Sequence, residues 1–219
     1  MKIAFVDERI DVEELKNLNS LNIKVIKVPK PNLTYDAVSG HPDILMHIFN
    51  NKIILHRDID AAFLHNLESL NLNISLSQKS IGYKYPNNII LNGVSTSEFF
   101  IHNTKYTDGE LLTLIGNNTV INVPQGYTKC STAVVSNKAI MTSDTVIAES
   151  MKKFGFDVLL LPPGDILLPG LDYGFIGGTC GLIDEKTLCF YGSLDNYKYG
   201  KDVITFLEKH NVKPIYLSD

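Results

Sequence analysis

The apolar positions of this chain come in short runs broken by polar clusters, and the clearest block covers residues 130–162. Residues 131–135 are rich in β-branched types and predict a strand. Ser136, Asn137 and Lys138 supply a turn, and 139–142 a second strand. Ser143 and Asp144 offer short side-chain oxygens to the free N–H groups at the start of a helix. Over 145–154 that helix places Val146, Ile147, Ser150, Met151 and Phe154 on one face, and Gly155 closes it. The Val-Leu-Leu-Leu run within 157–161 predicts a fully buried strand. The order is strand, turn, strand, helix, strand.

The same order recurs. Residues 43–49 and 52–56 predict a hairpin around Asn50 and Asn51, followed by a helix over 60–70, with Ala61, Leu64, Leu67 and Leu70 or their neighbours inward, and a strand over 74–76. Residues 88–91 and 98–102 predict another hairpin, with a helix at 108–115 and a strand at 119–123. The last block has strands at 180–183 and 187–191, a helix at 199–210 and a strand at 214–217. At the opening, 2–6, 12–18 and 23–28 read as strand, helix and strand, with Asp11 as cap and the first strand of the pattern missing. The second hairpin strands end at His56, His102, Thr142 and Tyr191, roughly 40–50 residues apart, a spacing typical of structural repeats. A solenoid needs atypical capping repeats, whereas the last predicted element is a regular strand. Five units closed into a ring need no caps. The expectation is a single α/β domain over 1–219, a pseudo-fivefold ring of ββαβ units with the first unit incomplete.

Composition narrows the function. Apolar residues make up 44% of the chain, enough for a large core. No apolar run approaches the ~20 residues that cross a bilayer, and Met1-Lys2 runs into a segment that turns acidic too early for a signal peptide. With 20 Lys and Arg against 24 Asp and Glu, the net charge of −4 weighs against a nucleic-acid surface. Three cysteines without a CxxC pair fit reduced thiols and a cytoplasmic location. No His or Cys cluster has zinc spacing. The turn after the first strand, Asp7-Glu8-Arg9, lacks the glycine that would bare N–H groups to a phosphate. The expectation is therefore no metal, no cofactor, no nucleic acid and no membrane.

A ring of five such units resembles the pentein, or guanidine-modifying enzyme, fold, an α/β-propeller. Two stretches match residue types. Gly177-Gly178-Thr179-Cys180 looks like the family's glycine-rich approach to its nucleophile, and Gly40-His41-Pro42-Asp43 looks like the Gly-His-x-Asp element of the agmatine deiminases. The resemblance implies cofactor-free chemistry on a small guanidino-type molecule. A cysteine thiolate attacks the guanidinium carbon, a His carries protons and carboxylates grip the cation. Carried over, Cys180 is the nucleophile, His41 the proton shuttle, and Asp43 and Asp165 the grips. The family keeps its His in the third unit, where this chain has Asn87 and Asn88.

Asp43, Asn88, Cys130 and Cys180 all stand at the beginning of a predicted first hairpin strand, positions that converge on the axis of a pseudo-fivefold ring and would line one pocket. A bound cation would favour the Cys180 thiolate. Cys130 competes with it, because Lys129 precedes it and would lower its pKa. Cys189 reads as core, and His47, His56, His65, His102 and His210 as structural. Asp165 lies in a Pro- and Gly-rich loop over 162–178, where a carboxylate in a partly dry pocket pairs with a planar guanidinium through two hydrogen bonds. Asp172 reads as a turn residue. Two functions stay open: a guanidino- or amidino-group hydrolase or transferase, and a non-catalytic pentein, like the ribosome anti-association factor, that binds a partner or a small ligand. Substrate and oligomeric state are not legible.

Overall fold

The computed structural model describes residues 2–31 and 33–219. The opening is β1 (Lys2–Asp7), α1 (Val12–Ser20) and β2 (Ile23–Val28), with β1 and β2 paired. A four-residue helical turn, α2 (Pro42–Leu45), then leads into β3 (Met46–Phe49), β4 (Lys52–Leu55), α3 (Ala61–Glu68) and β5 (Asn73–Leu76). Next come β6 (Val94–Ser95), β7 (Phe99–His102), α4 (Gly109–Ile115) and β8 (Thr119–Asn122). A second helical turn, α5 (Thr128–Ser131), precedes β9 (Thr132–Ser136), β10 (Ala139–Thr142), α6 (Thr145–Lys153) and β11 (Asp157–Leu160). A 3-10 turn (Ile176–Gly178) introduces β12 (Cys180–Asp184) and β13 (Thr187–Phe190), and a second one (Leu194–Asn196) precedes α7 (Gly200–Lys209) and β14 (Lys213–Tyr216).

The four three-stranded sheets share one topology. The first strand pairs antiparallel with the second, and the second pairs parallel with the third after the helix. The residue after each third strand closes the ladder identically: the N–H groups of Ser77, Val123, Leu161 and Leu217 donate to the carbonyls of Leu55, His102, Thr142 and Phe190 at 2.8, 3.1, 2.9 and 2.9 Å. The helix ends also match. Asp11, Asp60, Asp108 and Asp144 are N-caps whose carboxylates accept N–H groups of the first turn. After α1, α3, α4, α6 and α7 the connection to the next strand turns on one residue with positive φ: Asn22, Asn71, Gly116, Gly155 and Asn211. Glycine and asparagine are the residues that enter this left-handed region at least cost.

Several boundaries differ from expectation. The segments expected as strands from Asp43, Asn88 and Ser131 do not begin as strands. Asp43 lies in α2, where Pro42 at the first helical position favours a turn. Residues 88–91 form irregular turns, tied by Asn92 N–H to the Ile89 carbonyl at 2.9 Å, and the strand of that block is β6. Cys130 lies in α5. The buried face of α6 is Ile147, Ala148 and Met151, while Val146 and Phe154 are exposed. In α3, Phe63 and Leu67 face inward. β11 is an outer strand of its sheet and half-exposed, not fully buried.

The chain forms two compact units. One holds Phe5–Arg9 and Ile26–Thr128, with a core that includes Leu45, Ile54, Leu55, Phe100, Ile101 and Leu111. The other holds residues 2–4, Ile10–Val25 and Lys129–Asp219. Its core packs Val135, Met141, Ile176, Phe190, Val203 and Leu207 together. In this second unit the opening segment meets the last sheet: Asn17 Nδ2 donates to the Leu217 carbonyl at 2.7 Å, and Lys2 pairs with Asp184 at 3.2 Å.

Candidate active site

The six candidate residues divide evenly: Cys130, Asp165 and Cys180 belong to the unit ending at Asp219, and His41, Asp43 and Asn88 to the other.

Cys180 opens β12, directly after the 3-10 turn. Two glycines, Gly177 and Gly178, complete that turn, and they do different things. A Cβ on Gly177 would run into the Lys129 carbonyl oxygen and would lie 2.5 and 2.7 Å from those of Thr132 and Cys130. The turn is therefore pressed against α5 and the head of β9, and only a residue without a side chain fits. A Cβ on Gly178 would meet nothing within 4 Å. This packing brings the Lys129 charge within reach of the Cys180 thiol. The Lys129 ammonium donates to the Gly177 carbonyl at 3.3 Å, and the Cys180 thiol donates to the Ile176 carbonyl at 3.5 Å. The hydroxyls of Ser131, at the end of α5, and Thr132, at the head of β9, are buried without a hydrogen-bond partner.

The sulfur of Cys180 sits in surroundings that oppose charge. Burial pushes the half-buried Cys180 thiol up to about 12, against the opposing pull of the Lys129 charge and a hydrogen bond from Thr179. Cys180 rests as the thiol. Cys189 is buried in β13, and its thiol is pushed up to about 11. Cys130 is buried in α5. Asp165 does not sit in a dry pocket. Its exposed carboxylate accepts the Lys198 N–H at 2.9 Å and ties the loop to the segment before α7. Asp172 is exposed in the same loop.

In the other unit, His41 is extended (φ −69°, ψ 118°), as a residue before proline must be. Its neighbour is Asp7. The Asp7 carboxylate accepts from the Arg9 backbone N–H at 2.9 Å and from its guanidinium at 2.9 and 2.6 Å, packed so tightly that a Cβ on Gly40 would lie 2.5 Å from it. Burial raises the pKa of Asp7, but the hydrogen bonds and charge of Arg9, with His41 contributing, outweigh it and hold the carboxyl below its usual range. The Asp43 carbonyl accepts from Asn92 Nδ2 at 2.8 Å, joining α2 to the loop before β6. Asn88 is fully buried. Its Nδ2 donates to the Tyr127 hydroxyl at 2.8 Å, Tyr127 meets the Tyr35 hydroxyl at 3.1 Å, and Asn88 Oδ1 has no partner.

Lys129 and the tyrosine pair were missed as site residues. Lys129 was visible only as the neighbour of Cys130, and nothing local marks Tyr35 or Tyr127. Among the described residues no group of three or more His, Cys, Asp or Glu is placed to hold a metal ion. No helix of the described residues is long and apolar enough to cross a membrane.

The ββαβ sheets are those of the pentein fold, which solved structures of guanidino-modifying enzymes share. The chain is similar to SxtG, an amidinotransferase from Microseira wollei in the saxitoxin biosynthetic pathway, at 14% identity and a TM-score of 0.56, covering 94% of this chain and 76% of that one. It is similar to a dimethylarginine dimethylaminohydrolase adduct with S-methyl-L-thiocitrulline at 9% identity and a TM-score of 0.58, covering 98% and 91%. For C. jejuni agmatine deiminase the identity is 15% and the TM-score 0.56, covering 99% and 75%. A family model described as "Family of unknown function (DUF6873)" matches residues 5–219, and the chain belongs to that family. No curated protein matches by sequence.

Proposed function

We propose that this chain is a cofactor-free hydrolase or transferase acting on a guanidino or amidino group, with Cys180 as nucleophile. The carrying observation is the position of Cys180, at the head of the last sheet's first strand, on a glycine turn that admits no side chain at Gly177. The fold adds support, being shared with amidinotransferases, a deiminase and a dimethylaminohydrolase, one of which is described in complex with citrulline. The finer architecture belongs to the same reading: five units closed as a ring, with the opening strand-helix-strand as the incomplete unit. The contacts of Lys2 and Asn17 with the last sheet favour it.

The Cys180 sulfur attacks the central carbon of the substrate, forming a C–S bond. The C–N bond to the departing amine or ammonia breaks, and that nitrogen takes up one proton. Water or an acceptor amine then displaces the sulfur. Asp43, Asp165 and Asn88 are the candidates for gripping the substrate, and His41 for carrying protons. The test is a panel of agmatine, arginine and methylated arginines, assayed for release of ammonia, amine or ureido product. Turnover that Cys180→Ser abolishes supports the reading, and turnover that survives it refutes it.

A second reading has its own observation. The resting thiol, pushed up to about 12, suits a pentein that binds a ligand without attacking it. Calorimetric binding of a guanidino compound with no product formed distinguishes this case.

A further inference from the structure

We infer that Lys129 is the positioning residue that holds Cys180 as the thiolate when it reacts. This rests on the reading of Cys180 as nucleophile, and it names an activating group that the sequence did not assign.

The argument starts from two hydrogens parked on one turn. The Lys129 ammonium donates to the carbonyl of Gly177, and the Cys180 thiol donates to the carbonyl of Ile176, the preceding residue of the same 3-10 turn. Gly177 is clamped among the carbonyls of Lys129, Cys130 and Thr132, so the two donors are fixed to a common, unyielding piece of backbone. The groups that act on the sulfur are Lys129, the Thr179 hydroxyl and the neighbouring Cys189, and Lys129 is the one cation among them. Two buried hydroxyls, on Ser131 and Thr132, lie unpartnered on the Lys129 side of the clamp, polar groups that the resting packing leaves unused.

On activation the S–H proton leaves to solvent, and the sulfur becomes an acceptor. The Ile176 carbonyl, itself an acceptor, then has nothing to offer it. The ammonium does: a swing of its flexible stem exchanges the long 3.3 Å contact with Gly177 for a charge-assisted one with the thiolate. No bond to carbon is involved, and the charge balances, one proton lost and one ion pair gained. A consequence follows for the substrate. A thiolate held by Lys129 needs no cation from its substrate, so the attacked group can be neutral, such as an amidine base or a ureido carbon, as well as cationic.

The test is alkylation of Cys180 in the folded protein at pH 8, followed by peptide mass spectrometry, since the rate tracks the thiolate fraction. Replacing the charge with Lys129→Met is expected to slow iodoacetamide labelling roughly tenfold, the usual effect of removing one close opposite charge. Lys129→Arg keeps the charge and is expected to stay within about threefold of wild type. A Met variant that labels as fast as wild type overturns the proposal. So does an Arg variant as slow as the Met variant. A measurement on the unaltered protein covers a variant that fails to fold. With Lys129 beside the sulfur, anionic iodoacetate gains on neutral iodoacetamide at Cys180, relative to the same ratio in the urea-unfolded chain. A ratio at or below the unfolded value overturns the proposal. None of these rates needs turnover, so a failed guanidine assay and a failed role for Lys129 are separate outcomes.

Discussion

Gly177→Ala is the sharpest perturbation the structure offers. The added methyl would collide with the Lys129 carbonyl and would sit 2.5 and 2.7 Å from two more backbone oxygens, inside the 3.0 Å that Cβ atoms keep. None of the three belongs to a side chain that can swing away. Thr132 is locked into the β9–β10 ladder opposite Thr142, and Ile176 is buried in the core of the same unit. Either the 3-10 turn lifts, taking Ile176 with it, or the head of β9 moves and strains its ladder. Overpacking of this kind typically costs 1–3 kcal/mol, and three rigid contacts place this one at about 3 kcal/mol. For a chain of this size each kcal/mol lowers the melting temperature by roughly 2–4 °C, so the expected fall is about 6–12 °C. Gly178→Ala is the built-in control. Its methyl meets nothing within 4 Å, and it should stay within about 0.5 kcal/mol of wild type. Differential scanning calorimetry of both variants decides the matter. If Gly177→Ala melts within about 1 °C of Gly178→Ala, the turn is not clamped, and the account of how Lys129 reaches Cys180 falls with it.

Further outcomes follow from buried groups. Asp108 is fully buried and accepts three N–H groups, from Gln78, Lys79 and Glu110 at 3.0, 2.9 and 2.9 Å, so Asp108→Ala should cost about 3 kcal/mol or more in urea unfolding. The single-bond cap Asp60→Ala should cost about 1 kcal/mol, and equal losses would refute the distinction. His56 and His102 are fully buried, and burial pushes both down from 6.5 to about 4. Their folded pKa lies below the unfolded one, so the unfolded chain binds protons first. Stability is complete above pH 6.5 and is lost as pH falls towards 4, by about 2–3 kcal/mol for each ring. Urea midpoints across that window and ring resonances in NMR check this, and a midpoint near 6.5 for either ring would contradict it.

Much of the fold was legible because local chemistry repeats. Asp caps open four helices, and a residue at positive φ follows α1, α3, α4, α6 and α7. Gly155 was readable as a stop. Asn22, Asn71 and Asn211 carry the same message less openly, since asparagine is also an ordinary surface residue. The helical turns before β3 and β9 were not legible. Ile44 and Leu45 are fully buried, and a buried turn reads as the same apolar run as a buried strand. The Gly177-to-Cys180 stretch is legible as a glycine-rich approach to a cysteine, but residue type alone does not say which of its two glycines is there for space. The structure separates them: Gly177 is there for space, and Gly178 has room to spare.

The same separation explains why the source of the charge near Cys180 is hidden in the sequence. Reading along the chain, the charge of Lys129 belongs to Cys130, its neighbour. In a helical turn, adjacent side chains do not face each other. α5 carries Lys129 away from Cys130 and towards Gly177, a residue 48 positions distant, and so to the thiol three residues further on. That contact exists because a carbonyl cage closes around a residue without a side chain, and a cage of backbone oxygens leaves no mark in the identities of the residues that form it. The burial that lifts the Cys180 thiol and the cation that opposes it therefore come from the same packing. Substituting Lys129 changes the second and leaves the first, which is why the charge, and not the fold, is the quantity the alkylation rates isolate.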